Sequence, residues 1–361
     1  MIRTLAERVA DVRRLVDAGR RVYDGRAAIV ADIARSTGLT GEGVDLGFDS
    51  LERDPSDADL EALAIAAGEA ERVHVVLSAN VFVAPLRALA MARAASTRVS
   101  VRPSPREPTL TRALVEAAGD RAIALVDDRD VARVERGEIH VYGSDETIAA
   151  VRSRARTGVV VRAHGAGLGI AVVTRNADLG AAAAALARDV VPFDQRGCLS
   201  PRLAFVEGGA DRGEQFASAL HEELAAWDVR VPRGALVESE IAAAIVWRDA
   251  LAFTGRMWRG ARHDVALAPS GAPLAIPPPG RCVQVFTAAS RRELAARIAP
   301  VARFVVSLGS DDPRAVDDIT PPHARASPLG RMQHPALDGP VDRRALRRGV
   351  ATWLREPPCS E

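Results

Sequence analysis

Apolar residues recur at helical spacing where the chain begins. Leu5, Val9, Val12, Leu15 and Val16, with charges between them, predict an amphipathic helix. A second helix is expected over 26–36, before Gly38, while 41–59 is acidic, rich in Gly, Asp and Ser, and reads as loop broken by a short helix. Helical periodicity returns over 57–70. From Arg72 the rhythm changes to short apolar runs, 73–78, 98–102, 122–126, 139–142 and 158–162, with helical stretches over 85–95, 110–118, 130–136 and 145–154. Continuous apolar runs of this length are the signature of strands buried on both faces of a parallel sheet. The stretch 181–187, nearly all alanine and leucine, reads as a buried helix. Alternation then resumes. Strands are expected over 203–207, 264–268, 282–286 and 303–308. Helices are expected over 214–227 and 238–257 and from Arg291 onward. A proline-rich loop spans 277–280, 311–340 is loop-rich, and a short helix over 343–354 closes the chain. The pattern predicts an α/β protein. It has a doubly wound parallel sheet with ligand sites at the C-terminal ends of its strands, followed by a second α/β unit.

Composition narrows the class without naming a chemistry. The 361 residues are 48% hydrophobic and 26% charged, as in a soluble protein of two ordinary domains or one large one. Forty-eight basic residues against 47 acidic leave a net charge of +1, which gives no electrostatic reason to expect a nucleic acid or an anionic membrane as partner. Cys198, Cys282 and Cys359 are few, odd in number and far apart, so a reducing compartment is expected and no disulfide framework. The N-terminus has no signal-peptide pattern and no apolar run reaches about 18 residues, so a cytoplasmic protein with no membrane span is expected. The seven histidines show no ligand spacing with Cys or acidic residues, and no metal is expected.

The stretch 191–202 concentrates the chemistry: a cysteine, Cys198, follows Gly197 and precedes a Ser200-Pro201-Arg202 turn. A lone cysteine is most often a small buried hydrophobe, so a reactive reading needs partners. Four strand ends upstream offer them. Ser78-Ala79-Asn80 ends one strand, and its amide can either donate to an oxyanion or close a turn. Arg102-Pro103-Ser104-Pro105-Arg106 ends another, with two cations and a hydroxyl suited to a phosphate or to a solvated edge loop. Tyr142-Gly143-Ser144-Asp145 is a strand, a turn and a helix start, which suits a pyrophosphate or is simply a helix cap. No G-x-G-x-x-G is present. His164 follows a further strand as a proton shuttle or a structural ring.

Four strand ends, Asn80, Arg102, Ser144 and His164, precede one cysteine in chain order. That order resembles the aldehyde dehydrogenase superfamily, and more closely its acyl-CoA reductase branch, the LuxC family. The resemblance is carried by Leu77-Ser78-Ala79-Asn80-Val81 with Pro85-Leu86-Arg87-Ala88, by Val101-Arg102-Pro103-Ser104-Pro105-Arg106-Glu107-Pro108, and by Tyr142-Gly143-Ser144-Asp145. Its strongest piece is Asp194-Gln195-Arg196-Gly197-Cys198-Leu199-Ser200-Pro201, echoed by Leu329-Gly330-Arg331-Met332 and Leu337-Asp338-Gly339. It implies an aldehyde-dehydrogenase-like fold with a helical segment and dinucleotide-binding domain over 1–190 and a catalytic thiol domain over 191–320. A segment over 321–361 would return to the cofactor domain or form an oligomer interface. It implies Cys198 as the nucleophile that becomes acylated, with Asn80 and the Cys198 backbone N–H as the oxyanion hole. Arg102, Ser104, Arg106, Gly143 and Ser144 would hold the dinucleotide.

Departures from the family pattern refine the expectation. Arg102 stands where the superfamily usually has lysine. Pro105 and Arg106 stand near the usual acidic ribose ligand, which favours NADPH, with NADH as the alternative. No Glu base lies some thirty residues before Cys198; His164-Gly165 occupies that neighbourhood. Hydrolysis of an acyl-enzyme needs a base to activate water, whereas its reduction needs a hydride and an oxyanion hole. The expected activity is therefore reduction of an acyl-CoA, of fatty type, to the aldehyde through a Cys198 thioester, with His164 as a candidate proton donor. The expected partners are the acyl-CoA or another activated acyl group, a second copy in a homo-oligomer, and acyl-transfer proteins. The alternatives are an acyltransferase or thioesterase using the same thiol without nucleotide, and a non-catalytic assembly subunit. Phe82, Trp247, Phe253, Met257 and Trp258 are either an acyl tunnel or core. Cys282 is expected to be buried.

Overall fold

The computed structural model describes residues 3–127, 131–252 and 255–346. The chain divides into two compact units, one made of Met1–Thr37, Leu51–Ala166 and Ala336–Glu361, the other of Gly38–Ser50 and Gly167–Pro335. The division at 166/167, in place of the expected 190/191, assigns the strand and helix before the thiol to the thiol's own unit. The final segment splits likewise: 321–335 belongs with the thiol unit and the chain from Ala336 with the first.

Four helices precede the first strand: α1 (Leu5–Asp24), α2 (Val30–Thr37), α3 (Gly41–Asp49), which belongs to the second unit, and α4 (Asp57–Ala67). A capping box of Thr4 and Glu7 starts α1, and its apolar stripe of Val12, Leu15 and Val16 is buried. Arg8 crosses from α1 to donate to the carbonyls of Ala64, Gly68 and Ala94. These lie at or just past the C-terminal ends of α4 and of a later helix, where the helix dipole favours a cation.

The first sheet follows: β1 (Val73–Val76), α5 (Ala84–Ala95), β2 (Val99–Arg102), α6 (Thr109–Ala118), β3 (Ile123–Leu125), β4 (Glu138–Tyr142), α7 (Asp145–Arg154) and β5 (Val160–His164). Its order is β3-β2-β1-β4-β5, every pair parallel. The chain works outward from β1 on one side, then returns to β4 on the other. The strand order thus reverses between β1 and β4, the position at which open parallel sheets take their ligands.

The second unit continues with β6 (Leu168–Val173), α8 (Leu179–Val190), β7 (Pro201–Glu207), α9 (Ala210–Arg230), α10 (Glu238–Ala252), β8 (Arg256–Arg259), β9 (Asp264–Leu267), β10 (Cys282–Ala288), α11 (Arg291–Ile298), β11 (Val305–Ser310) and β12 (Arg325–Pro328). The sheet order is β12-β11-β6-β7-β10-β9-β8, parallel except for the β8–β9 hairpin at its edge. Alternate residues of β7 serve opposite faces. Ala204 and Val206 join the core under α8 and α9, while Leu203 and Phe205 join the core under α11.

Several elements differ from the sequence expectation. The fully buried β6 was not expected, because Gly165, Gly167 and Gly169 make its start read as loop. The helix expected over 238–257 ends at Ala252, and β8 follows. A Cβ at Gly255 would stand 2.6 Å from the Leu267 carbonyl, so the hairpin approaches as closely as glycine allows. Within 311–340 lies β12, and 130–136 is described from Val131 onward, where it forms one 3-10 turn, Val131–Arg133. Of the closing helix, Arg343–Leu346 is a 3-10 turn and the remainder lies outside the described residues, as do Phe253 and Cys359. No helix among the described residues is long and apolar enough to cross a membrane.

Candidate active site

In the first unit, the expected groups gather along the C-terminal edge of the sheet. Asn80 follows β1 and is exposed; its Oδ1 accepts a hydrogen bond from Arg106 Nη2 at 2.9 Å. Ser104, buried just past β2, accepts from the Arg106 backbone N–H at 3.3 Å. Past β4, Ser144 caps α7 by accepting from Thr147 N, while Gly143 donates to the His164 carbonyl at 3.2 Å. His164 is the last residue of β5 and stacks on Tyr142, with centroids 4.3 Å apart. Burial pushes its pKa down to about 4, so the ring is neutral at pH 7. The first turn of α7 carries Asp145 and Glu146, while Arg102 ends β2 and Arg106 follows it, with β1 lying between β2 and β4.

Beneath these strand ends, Arg162 of β5 forks onto Glu138 of β4 at 2.6 and 2.7 Å, and His140 Nε2 meets Glu138 Oε2 at 2.9 Å. These partners outweigh burial and hold the Glu138 pKa down to about 2.

In the second unit, Cys198 is half-buried on the loop between α8 and β7. The three residues Phe193, Asp194 and Gln195 all lie in the left-handed region, with φ of 58°, 49° and 64°. Each such residue without glycine costs about 1–2 kcal/mol, so the turn persists because its neighbours hold it. Gln195 donates to the carbonyls of Pro201 and Cys282 and accepts from Cys282 N at 2.8 Å. Asp194 accepts from Gly234 N and from Arg281 Nη2, and Arg196 forks onto Glu240 at 2.7 and 2.9 Å.

On the far side of the thiol, Gln333 reaches Ser200 Oγ at 3.3 Å and the Asp189 carbonyl at 2.9 Å. Asp189 in turn accepts from Gly330 N and Met332 N. Burial pushes the Asp189 carboxyl up to about 7 against those donors. The thiol loop also lies directly on β6: a Cβ at Gly169 would stand 2.3 Å from the Leu199 carbonyl, and one at Gly167 3.2 Å from Cys198 Cβ.

Cys282 is the contrasting thiol. It is 1% exposed, its pKa is pushed up to about 12 by burial and then by Asp264, and it packs with Trp247, Leu251 and Met257. Trp247 and Met257 are therefore core. Trp258 packs against the main core of the same unit, and Phe82 is buried in the first unit. A cavity of about 380 Å³ opens at the other end of the strands, beyond β7, β9 and β10, lined by Gly208, Glu214, Arg256 and Thr287. Cys198 precedes the N-terminal end of β7, so that cavity is not where the thiol stands. Among the described residues no group of three or more His, Cys, Asp or Glu side chains is placed to hold a metal.

Sequence reading missed Gln195, Asp228, His263, Arg281 and Gln333 as supports of the thiol loop. Gln195 lies inside the Asp194–Pro201 motif, and Gly280-Arg281-Cys282 carries a sequence signal only in its thiol. The rest gave no local signal, because their partners are distant in sequence.

A parallel 3-2-1-4-5 sheet followed by a thiol-bearing α/β unit is the fold of the aldehyde dehydrogenases. The methylmalonate-semialdehyde dehydrogenase of Oceanimonas doudoroffii superposes with a TM-score of 0.68 at 14% identity, covering 91% of this chain and 79% of that one. The NADP-dependent glyceraldehyde-3-phosphate dehydrogenase of Bacillus halodurans, complexed with NADP, gives 0.65 at 15% identity, with the same 91% and 79% coverage. The NAD-dependent benzaldehyde dehydrogenase of Corynebacterium glutamicum gives 0.63 at 17%, covering 88% and 79%. The chain itself belongs to the acyl-CoA reductase (LuxC) family, whose model matches residues 57–335. No curated protein matches it.

Proposed function

We propose that this chain reduces an acyl-CoA, of fatty type, to the aldehyde through a thioester on Cys198, using NADPH. One observation carries the reading: Cys198 is the half-buried thiol on a turn held left-handed by distant charged and amide groups, whereas Cys282 is sealed in the core. The first unit's groups fit a nicotinamide dinucleotide. The reversal of strand order between β1 and β4, the Ser144-capped start of α7 and the Ser104–Arg106 strand end are the parts such a ligand uses. A cation at Arg106, where a ribose-binding acid would otherwise stand, favours a 2′-phosphate.

Cys198 attacks the acyl-CoA carbonyl as thiolate; the C–S bond to CoA breaks and CoA leaves as its thiolate. Asn80 donates its amide to the oxyanion as the acyl group moves onto the enzyme. The nicotinamide, when bound, supplies a hydride to the acyl-cysteine. The resulting oxyanion collapses to the aldehyde and expels the Cys198 thiolate, ready for another turn. That collapse needs no general acid. His164, neutral at pH 7 and stacked on Tyr142, is not drawn on by that collapse. Nor is a water-activating base at hand near the thiol in sequence: Asp189 and Asp194 are both occupied by backbone and guanidinium donors.

Incubation with radiolabelled acyl-CoA alone tests the reading. Label on Cys198 that NADPH discharges as aldehyde is expected. Label released as free acid without nucleotide would favour a thioesterase, and no label would leave a non-catalytic subunit.

A further inference from the structure

We propose that Arg281 is a positioning residue for Cys198, acting through Asp194 to fix the thiol turn and hold its local charge. The proposal rests on Cys198 being the nucleophile. Arg281 is 1% exposed and itself left-handed, at φ 67°. Its Nη2 donates to Asp194 Oδ1 and its Nη1 to Asp228 Oδ1, both at 3.0 Å, and Nη1 also meets the Val231 carbonyl at 2.8 Å. Asp194 is 2% exposed and is the middle residue of the left-handed stretch that delivers Gly197 and Cys198.

The two left-handed segments interlock along their backbones. Gly280 N donates to the Asp194 carbonyl at 3.0 Å, and the Gln195 amide pairs with both backbone groups of Cys282. Asp228 continues outward to His263 at 2.7 Å, and His263 to the half-exposed His221 at 2.9 Å.

Charge makes Arg281 more than a brace. The groups around it are Asp194 and Arg196 on the thiol turn, Asp228 and His221 on α9, Arg233 in the loop after it, Glu240 on α10, and His263 and Asp264 at the start of β9. Removing the Arg281 cation leaves two buried carboxylates without their shared partner. Extra negative charge four residues from the thiol disfavours the thiolate, while the turn loses the contact that keeps it wound.

The test is the pH profile of Cys198 alkylation by iodoacetamide on the full chain, mapped by peptide mass spectrometry. Arg281→Met is expected to raise the midpoint for Cys198 by about one pH unit. In acyl-CoA reduction it is expected to lower kcat about tenfold with little change in KM. Arg281→Lys, which keeps the charge but cannot fork to both carboxylates, should restore part of the pH shift. Should Arg281→Met fail to fold, Asp228→Asn, which removes one buried carboxylate and leaves the Arg281–Asp194 pair, should move the Cys198 midpoint the opposite way, to lower pH. A folded variant with the wild-type profile overturns the proposal. Alkylation does not involve acyl-CoA, so a wild type that alkylates normally yet takes no acyl label refutes the proposed function and leaves this test intact.

Discussion

Asn80 accepts Arg106 at its carboxamide oxygen, which leaves the Nδ2 hydrogens as its donor end. An oxyanion donor is needed when charge develops on the substrate oxygen, and losing one costs about 3 kcal/mol of transition-state stabilisation. Asn80→Ala is therefore expected to slow aldehyde formation about a hundredfold. Because Asn80 is exposed, its unfolding midpoint should match wild type. Circular dichroism melts run beside steady-state rates check both halves, and an unchanged rate removes Asn80 from the site. Residue identity made these candidates legible: amide, guanidinium and hydroxyl each follow a strand that the apolar runs had located, and the thiol stands in the loop before β7. What residue identity could not show is which groups lean on one another. The Asn80–Arg106 bond joins two segments that had been read as separate oxyanion and nucleotide elements.

Strand β6 shows the limit at the scale of elements. Gly165, Gly167 and Gly169 make its start read as loop, yet Gly167 and Gly169 are what let the thiol loop lie against it. Gly169→Ala would place a methyl 2.3 Å from the Leu199 carbonyl. The expected outcome is a loss of roughly 2–3 kcal/mol in urea unfolding together with loss of acyl labelling at Cys198. Gly41→Ala, which meets nothing within 4 Å, should leave both unchanged and serves as control. The first sheet makes a separate prediction through β4 and β5. His164 has a folded pKa near 4 against an ordinary 6.5, so only the unfolded chain takes up its proton between those values. Stability should fall as pH drops through that window. Glu138 has a folded pKa near 2 against 4.5, so its contribution is fully present above pH 4.5 and lost as pH falls toward 2. Urea unfolding at pH 7, 5 and 3 should show the first loss flattened in His164→Phe. Glu138→Gln should differ from wild type most at pH 7 and converge with it toward pH 2. Parallel pH curves for all three proteins would contradict these assignments.

Across the whole chain, all 48 basic residues are arginine and none is lysine. Arg102 in place of the superfamily's usual lysine therefore follows the composition of the entire molecule and is weak evidence about the nucleotide by itself. The alternation of apolar runs was enough to foresee two α/β units. It could not place their boundary, because contacts and not periodicity attach β6 and α8 to the thiol unit. The lack of lysine has a chemical consequence for the proposed reaction, in which an activated acyl group is carried and an aldehyde released. No side-chain amine is present to capture the acyl group from a thioester or to form an imine with the product. Acyl-CoA can then acylate thiols, and amine capture is confined to the chain terminus. Neutral hydroxylamine cleaves thioesters and leaves amides intact, so it should release essentially all label from protein incubated with acyl-CoA. Cys198→Ser should remove that label, while Cys282→Ala should retain it, since the Cys282 thiol is held neutral by burial. Hydroxylamine-resistant label would place the acyl group on an oxygen or nitrogen and count against a thioester intermediate. Label surviving in Cys198→Ser but lost in Cys282→Ala would move the chemistry to the buried thiol.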